Sequence, residues 1–173
     1  MAIVELPPLH FRRPNRVSAY EVASWRQANA YRRFDIPAEG ATRLLSAEFA
    51  YVVALDDRGS VVGVACSGPD ARINGGEYAA GPPRILDVLA RLRPSLLGRG
   101  LGCPFLRASF AWLIAEHRPR YLRTTVEADN AVARHVLEKM GFTATWRFVG
   151  PELSDSRSQH YLQYECPAME AIA

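Results

Sequence analysis

Lysine is nearly missing from this chain. Lys139 is the only one, so 21 basic residues less one lysine leaves 20 arginines. Against 18 acidic residues the formal net charge is +3, too mild to argue for nucleic acid or a membrane surface as a partner. Cysteine is scarce as well. Cys66, Cys103 and Cys166 are an odd number without paired spacing, which reads as reduced thiols in a cytoplasmic protein. Four histidines show no ligand spacing, so no metal site is expected. No apolar run approaches the roughly 18 residues of a membrane span. The opening residues Met1 to Pro8 have neither a basic stretch nor a long apolar one, so no signal peptide is expected. There is no internal repeat, linker or low-complexity tract. What remains is ordinary: 173 residues, 49% hydrophobic and 23% charged, enough for one globular domain spanning residues 1–173. The abundance of Ala and Arg points to a GC-rich bacterial source.

Periodicity supplies a run of elements. Leu9 to Arg13 reads as a first strand between prolines. Ser18 reads as a helix N-cap with Glu21 as its capping-box partner, and the helix is expected to continue to about Arg33. Ala38 to Ser46 is a short second helix. Glu48 to Leu55 alternates, with Phe49, Tyr51, Val53 and Leu55 on one face. Asp56-Asp57-Arg58-Gly59 is a turn, and Ser60 to Ser67 returns as the antiparallel partner. Gly68 to Pro83 is a loop, with Asn74-Gly75-Gly76 its strongest turn signal. Ile85 to Arg93 is the central strand, about Pro104 to His117 a helix, and Tyr121 to Glu127 a strand. Ala131 to Met140 is a helix with Gly141 as its stop. Phe142 to Val149 and Gln159 to Glu165 close the sheet around a polar loop. The order β-α-α-β-β-β-α-β-α-β-β predicts an α/β (α+β) fold with a mixed sheet and helices on both faces.

One stretch stands out, Leu92-Arg93-Pro94-Ser95-Leu96-Leu97-Gly98-Arg99-Gly100-Leu101-Gly102. Three glycines at alternate positions join a strand to a helix start. Glycine accepts a positive φ and lets backbone approach a ligand. A helix start offers unpaired N–H groups and a positive dipole end, which suits a phosphate. The P-loop pattern fails, because Cys103-Pro104 stands where Lys-Ser/Thr is needed. The dinucleotide fingerprint G-x-G-x-x-G also fails.

The stretch resembles the acetyl-CoA-binding signature of the GNAT superfamily of N-acetyltransferases, Q/R-x-x-G-x-G/A after a strand. Gly100 and Gly102 take the small positions, and Leu97 stands where Gln or Arg is usual. A second block, Asn130 to Phe142 (N-A-V-A-R-H-V-L-E-K-M-G-F), resembles the later motif of the same superfamily, at the expected distance of one helix and one strand. The paired match covers roughly residues 45 to 148.

The resemblance implies a mostly antiparallel sheet of six to seven strands with one splayed parallel pair, ending near Leu92 and near Glu127. Acetyl-CoA would lie there as co-substrate, with no metal. Its pantetheine arm would pair with backbone around Leu92 and Arg93. Its pyrophosphate would take N–H groups from Leu97, Gly98, Arg99, Gly100, Leu101 and Gly102, with the Arg99 charge adding to them. Asn130 would contact the pantetheine, serve as a helix N-cap, or both, and Arg134 joins the cofactor residues. The acceptor would be a primary amine of a small molecule or peptide, attacking directly in a ternary complex, in a monomer or a homodimer. An amine protonated at neutral pH needs a base. Asp87, mid-strand in an apolar context, is the first candidate, with a salt bridge to an arginine such as Arg91 as the alternative. Glu127 is the second, with a solvated strand end as its alternative. The usual tyrosine acid is replaced by Leu137, leaving Tyr161 or Tyr164 as substitutes. Acidic side chains near the rim, Asp70, Glu77 and Asp87, suit a polycationic acceptor. Trp25, Tyr31, Arg32, Arg33 and Phe34 lie where this superfamily contacts its substrates. A non-catalytic acyl-CoA-binding regulatory module is the competing reading.

Overall fold

A computed structural model describes residues 5–26, 40–150 and 159–173. Tyr31, Arg32, Arg33 and Phe34 lie outside the described residues, as does the polar loop before the last strand. The elements, in order, are β1 (His10–Arg12), α1 (Arg16–Ala23), α2 (Gly40–Leu45), β2 (Tyr51–Leu55), β3 (Val61–Ser67), β4 (Ile85–Leu92), α3 (Gly102–His117), β5 (Tyr121–Glu127), α4 (Ala131–Lys139), β6 (Thr143–Val149) and β7 (His160–Pro167). This is the order read from periodicity. The strands run β1-β2-β3-β4-β5-β7-β6 through a seven-stranded sheet. Strands β1 and β2, β2 and β3, β5 and β7, and β6 and β7 pair antiparallel, and β4 with β5 is parallel.

The cap of α1 departs from expectation. Asn15 is the N-cap, and its side chain accepts the Ser18 N–H at 2.9 Å while the Ser18 hydroxyl accepts the Asn15 N–H at 2.9 Å. Ser18 is therefore the third helical residue, not the cap, because Asn15 is the better acceptor at the point where the chain leaves Pro14.

Two compact units make up the chain, Met1–Cys66 with Ala90–Ser109, and Ser67–Leu89 with Phe110–Ala173. Strand β4 begins in the second and ends in the first. In the first unit, Ala19 and Val22 of α1 and Leu44 of α2 pack on Val53, Leu55, Val61 and Val64. A second cluster joins Ala54 and Val62 to Leu92, Leu101 and Phe105. Every residue of β3 is buried, and so are four of the five in β2. The alternation read in β2 therefore marks two covered faces, not one. Gly63 is what lets α3 come close, since a Cβ there would stand 2.1 Å from Phe105 Cζ.

In the second unit, Phe110, Leu113, Leu122, Leu137, Phe142 and Tyr164 are buried, with the Phe110 and Phe142 rings 5.8 Å apart. Helix α4 ends in a Schellman arrangement. Gly141 has φ +87°, and the Phe142 N–H donates to the Leu137 carbonyl at 3.1 Å, as glycine after a helix permits.

Candidate active site

The glycine turn lies in the first unit. Strand β4 delivers Leu92, which is buried, and the Arg93 N–H donates to the Val62 carbonyl at 2.8 Å. The Arg93 guanidinium pairs with Glu21 of α1. A single 3-10 turn over Pro94–Leu96 follows, and it takes up the Leu97 N–H, which donates to the Pro94 carbonyl at 3.2 Å. The resemblance gives that N–H to a phosphate; here it is already engaged, although the Leu97 side chain is exposed. Beyond it the turn opens. Gly98 has φ +71° and Gly100 φ +78°, and a Cβ on either would meet nothing within 4 Å. Positive φ at both positions is a strained conformation for any other residue. Arg99 between them is exposed. Leu101 is anchored in the core and its carbonyl accepts the Phe105 N–H at 3.0 Å. Helix α3 therefore starts at Gly102, with its positive end at the open turn. The residues fit a diphosphate: open space faces two glycines, and a helix start adds N–H groups beside an arginine.

The parallel pair belongs to the second unit. Its register is Ile85↔Tyr121, Leu86↔Leu122 and Asp87↔Arg123. It covers only these three steps, while β4 runs on to Leu92 and β5 to Glu127. This is the one parallel pair that the resemblance implied.

Asp87 sits at the last paired step, and the structure uses its charge there. Arg123 Nε donates to Oδ1 at 2.5 Å and a terminal Arg123 nitrogen donates to Oδ2 at 3.0 Å. Arg72 Nε donates to Oδ2 at 2.6 Å. Asp87 and Arg123 are 4% and 1% exposed, so this is a buried, charge-assisted fork. The hydrogen bond to Asp87 is the largest influence on Arg123 and holds its pKa above the ordinary value, against desolvation. The salt bridge expected from Arg91 is thus made by Arg72 and Arg123. Neither arginine stands out in the sequence, because the partners come from a loop and from the next strand, not from the same strand.

Side chains alternate along a strand, so Arg123, Thr125 and Glu127 share one face of β5. Tyr78, from the loop after β3, lies across that row. Its hydroxyl donates to Thr125 Oγ1 at 3.1 Å and accepts the Ile73 N–H at 2.7 Å. Arg123 also donates to the Ala79 carbonyl at 2.9 Å, and Gln163 of β7 to the Glu77 carbonyl at 2.6 Å. Glu127 is only 7% exposed, so it is a buried carboxylate and not a solvated strand end.

On α4, the Asn130 side chain accepts the Ala133 N–H at 3.1 Å, so the N-cap role is present. Arg134 donates to the Ala128 carbonyl at 3.0 Å and to the Tyr164 hydroxyl at 3.3 Å. Tyr164 in turn donates to Glu138 at 2.8 Å. Burial pushes the Tyr164 phenol above its ordinary pKa, with the Arg134 hydrogen bond opposing. Tyr161 is buried and stacks on Phe148 at 5.4 Å. Leu137 is buried as well. Among the described residues no group of His, Cys, Asp and Glu could hold a metal ion, and no helix is long and apolar enough to cross a membrane.

With this geometry in view, a family model described as an acetyltransferase (GNAT) domain matches residues 4–143. The chain belongs to the GNAT acetyltransferase family. No curated protein matches its sequence. Among solved structures, a GNAT-family acetyltransferase from Bacillus anthracis is 11% identical, with 93% of this chain and 95% of that one covered and a TM-score of 0.70. The spermidine/spermine N-acetyltransferase SpeG from Vibrio cholerae, solved in mutant forms, is 14% identical, over 95% and 98%, with a TM-score of 0.66. YncA from Salmonella typhimurium, solved with its cofactor acetyl-CoA, is 17% identical, over 92% and 94%, with a TM-score of 0.60. At these identities the likeness is one of fold. The protein is an N-acetyltransferase, and the acetyl donor of its family is acetyl-CoA.

Proposed function

We propose that this GNAT enzyme transfers the acetyl group of acetyl-CoA to a primary amine of a small molecule or peptide, by direct attack in a ternary complex. The observation that carries the reading is the glycine turn. Two positive-φ glycines with open space at their Cβ positions lead into the start of α3. Backbone N–H groups from Gly98 to Gly102 bind the diphosphate, with Arg99 adding charge. Leu92 offers backbone to the pantetheine arm, whereas the Arg93 N–H and carbonyl are already engaged by the Val62 carbonyl and the Leu96 N–H. Asn130 and Arg134 complete the cofactor set, Asn130 while capping α4.

Acetyl-CoA supplies a thioester carbonyl open to nucleophilic attack. The chain's own task is to deliver a neutral amine. Glu127 takes the amine proton as general base. It is buried on the same strand face as Thr125 and Arg123. Asp87 acts through Arg72 and Arg123, holding the loop after β3 against the sheet, and is a positioning residue.

Calorimetric titration with acetyl-CoA and with CoA is the test. Micromolar binding that Gly100→Trp abolishes supports the reading, and release of free thiol with an amine panel follows. Absence of binding to either ligand overturns it.

A further inference from the structure

Arg72 is held in a way the acetyl transfer does not require. Arg123 by itself matches the charge of Asp87 through two hydrogen bonds. Arg72 is a second cation on the same carboxylate, joined through Nε alone. Its guanidinium also lies 5.0 Å from the Tyr78 ring centroid. Tyr78 is itself fixed by its bonds to Thr125 and Ile73 and by Phe148, 5.8 Å away. The two terminal nitrogens of Arg72 make no hydrogen bond among the described residues, and the side chain is 41% exposed. A guanidinium fixed along one edge and one face presents its remaining edge as a planar two-donor fork. That fork matches a carboxylate, and the entropy of ordering it has already been lost.

Its position says which molecule brings the carboxylate. Arg72 is bonded to Asp87, which faces Arg123. Tyr78 bonds Thr125, the next residue on that face of β5, and Glu127 is the one after, roughly 13 Å along the strand from Arg123. The fork and the proposed base are thus on one face of one unit. We propose that Arg72 receives the carboxylate of the acceptor, so that the acetylated substrate is an amino acid or short peptide and not a polyamine. This rests on the reading of the protein as an amine acetyltransferase and adds its substrate class. Asp87, one of the three acids expected to draw a polycation, is fully engaged by arginine and no longer argues for one.

The test compares the twenty L-amino acids, their primary amides and spermidine as acceptors, with CoA release as readout. The wild-type enzyme is expected to favour the free acids over their amides by roughly tenfold or more, the effect of losing a hydrogen-bonded charged partner. Arg72→Gln is expected to raise KM for the acid by a similar factor, so that the acid-over-amide preference collapses toward unity, and to keep the KM for acetyl-CoA. Arg72→Lys is not expected to restore the preference, since an ammonium lacks the fork. The wild-type comparison needs no mutant and stands even if the variants fold poorly. Equal use of acids and amides, or preference for spermidine, overturns the proposal and leaves the acetyltransferase reading intact. If no amine is acetylated, that reading fails separately, and titration with N-acetyl-L-methionine decides the site. Heat lost in Arg72→Gln supports it, and no heat with the wild type overturns it.

Discussion

Arg123 stands directly across from Asp87 on the neighbouring parallel strand, with its Nε 2.5 Å from Oδ1. Both side chains are buried. Removing one member of such a pair leaves the other charge buried and uncompensated, which costs about 3–5 kcal/mol. Asp87→Asn is therefore expected to lower the thermal midpoint by roughly 6–20 °C for a chain of this size. Differential scanning calorimetry reads the shift. An unchanged midpoint would mean that the pair contributes nothing to stability. Since the same carboxylate tethers Arg72, amide hydrogen exchange in residues 72–81 should speed up more than in β2 or β3.

Gly63 makes a separate, purely steric prediction. A Cβ at that position would lie 2.1 Å from Phe105 Cζ and 2.7 Å from the Arg91 carbonyl oxygen. Gly63→Ala should destabilise by about 1–3 kcal/mol through overpacking. Phe105→Leu should relieve part of that cost, because the ring can retreat and the Arg91 backbone cannot. A double-mutant cycle in denaturant measures the coupling. Strictly additive effects would show that the ring is not the obstacle.

The three thiols should differ in reactivity. Burial, with Glu170 adding repulsion, pushes Cys166 up to about 11. Its thiolate is scarce at pH 8, so native Cys166 should resist iodoacetamide there. Cys103, half-buried at the start of α3, should be alkylated first. The sign for stability follows from the raised value. The unfolded chain releases this proton near its ordinary pKa of about 8.5. Stability from Cys166 is thus intact below that pH and lost as pH rises toward about 11. Cys166→Ser should flatten the alkaline limb of a stability-versus-pH curve. Rapid labelling of native Cys166 at pH 8 would contradict its burial.

The element order was legible because amphipathic runs and glycine or proline punctuation carry it, and the glycine turn was legible because its pattern is local. Gly98 and Gly100 needed only their own sequence to be read. The Asp87–Arg123 pair was not legible, although both residues were in plain view. It depends on the register of two parallel strands separated by α3, which no local pattern fixes. Arg72 was hidden for a related reason, since a loop residue has no periodicity to say where it returns. The cap of α1 was misread because Ser18 with Glu21 matches the capping-box signature, while the actual box, Asn15 with Ser18, has no Glu or Gln to announce it. The extended backbone of residue 15, at φ −100° and ψ 177°, marks the true cap.

Glu127 and Asp87 can be told apart kinetically. If Glu127 is the base, Glu127→Gln should reduce kcat by about 10²- to 10⁴-fold while the dissociation constant of acetyl-CoA stays within about twofold of wild type. Without a base the enzyme depends on amine that is already neutral. The rate of Glu127→Gln should then climb about tenfold per pH unit up to the pKa of the acceptor, narrowing the gap to wild type at alkaline pH. Asp87→Asn should behave otherwise, because Asp87 acts through Arg72. Its defect should appear mainly in KM for the acceptor, and the shape of its pH profile should match wild type. Should Asp87→Asn show the alkaline climb and Glu127→Gln lack it, the two roles are exchanged. The amine would then be deprotonated by the carboxylate that two arginines hold.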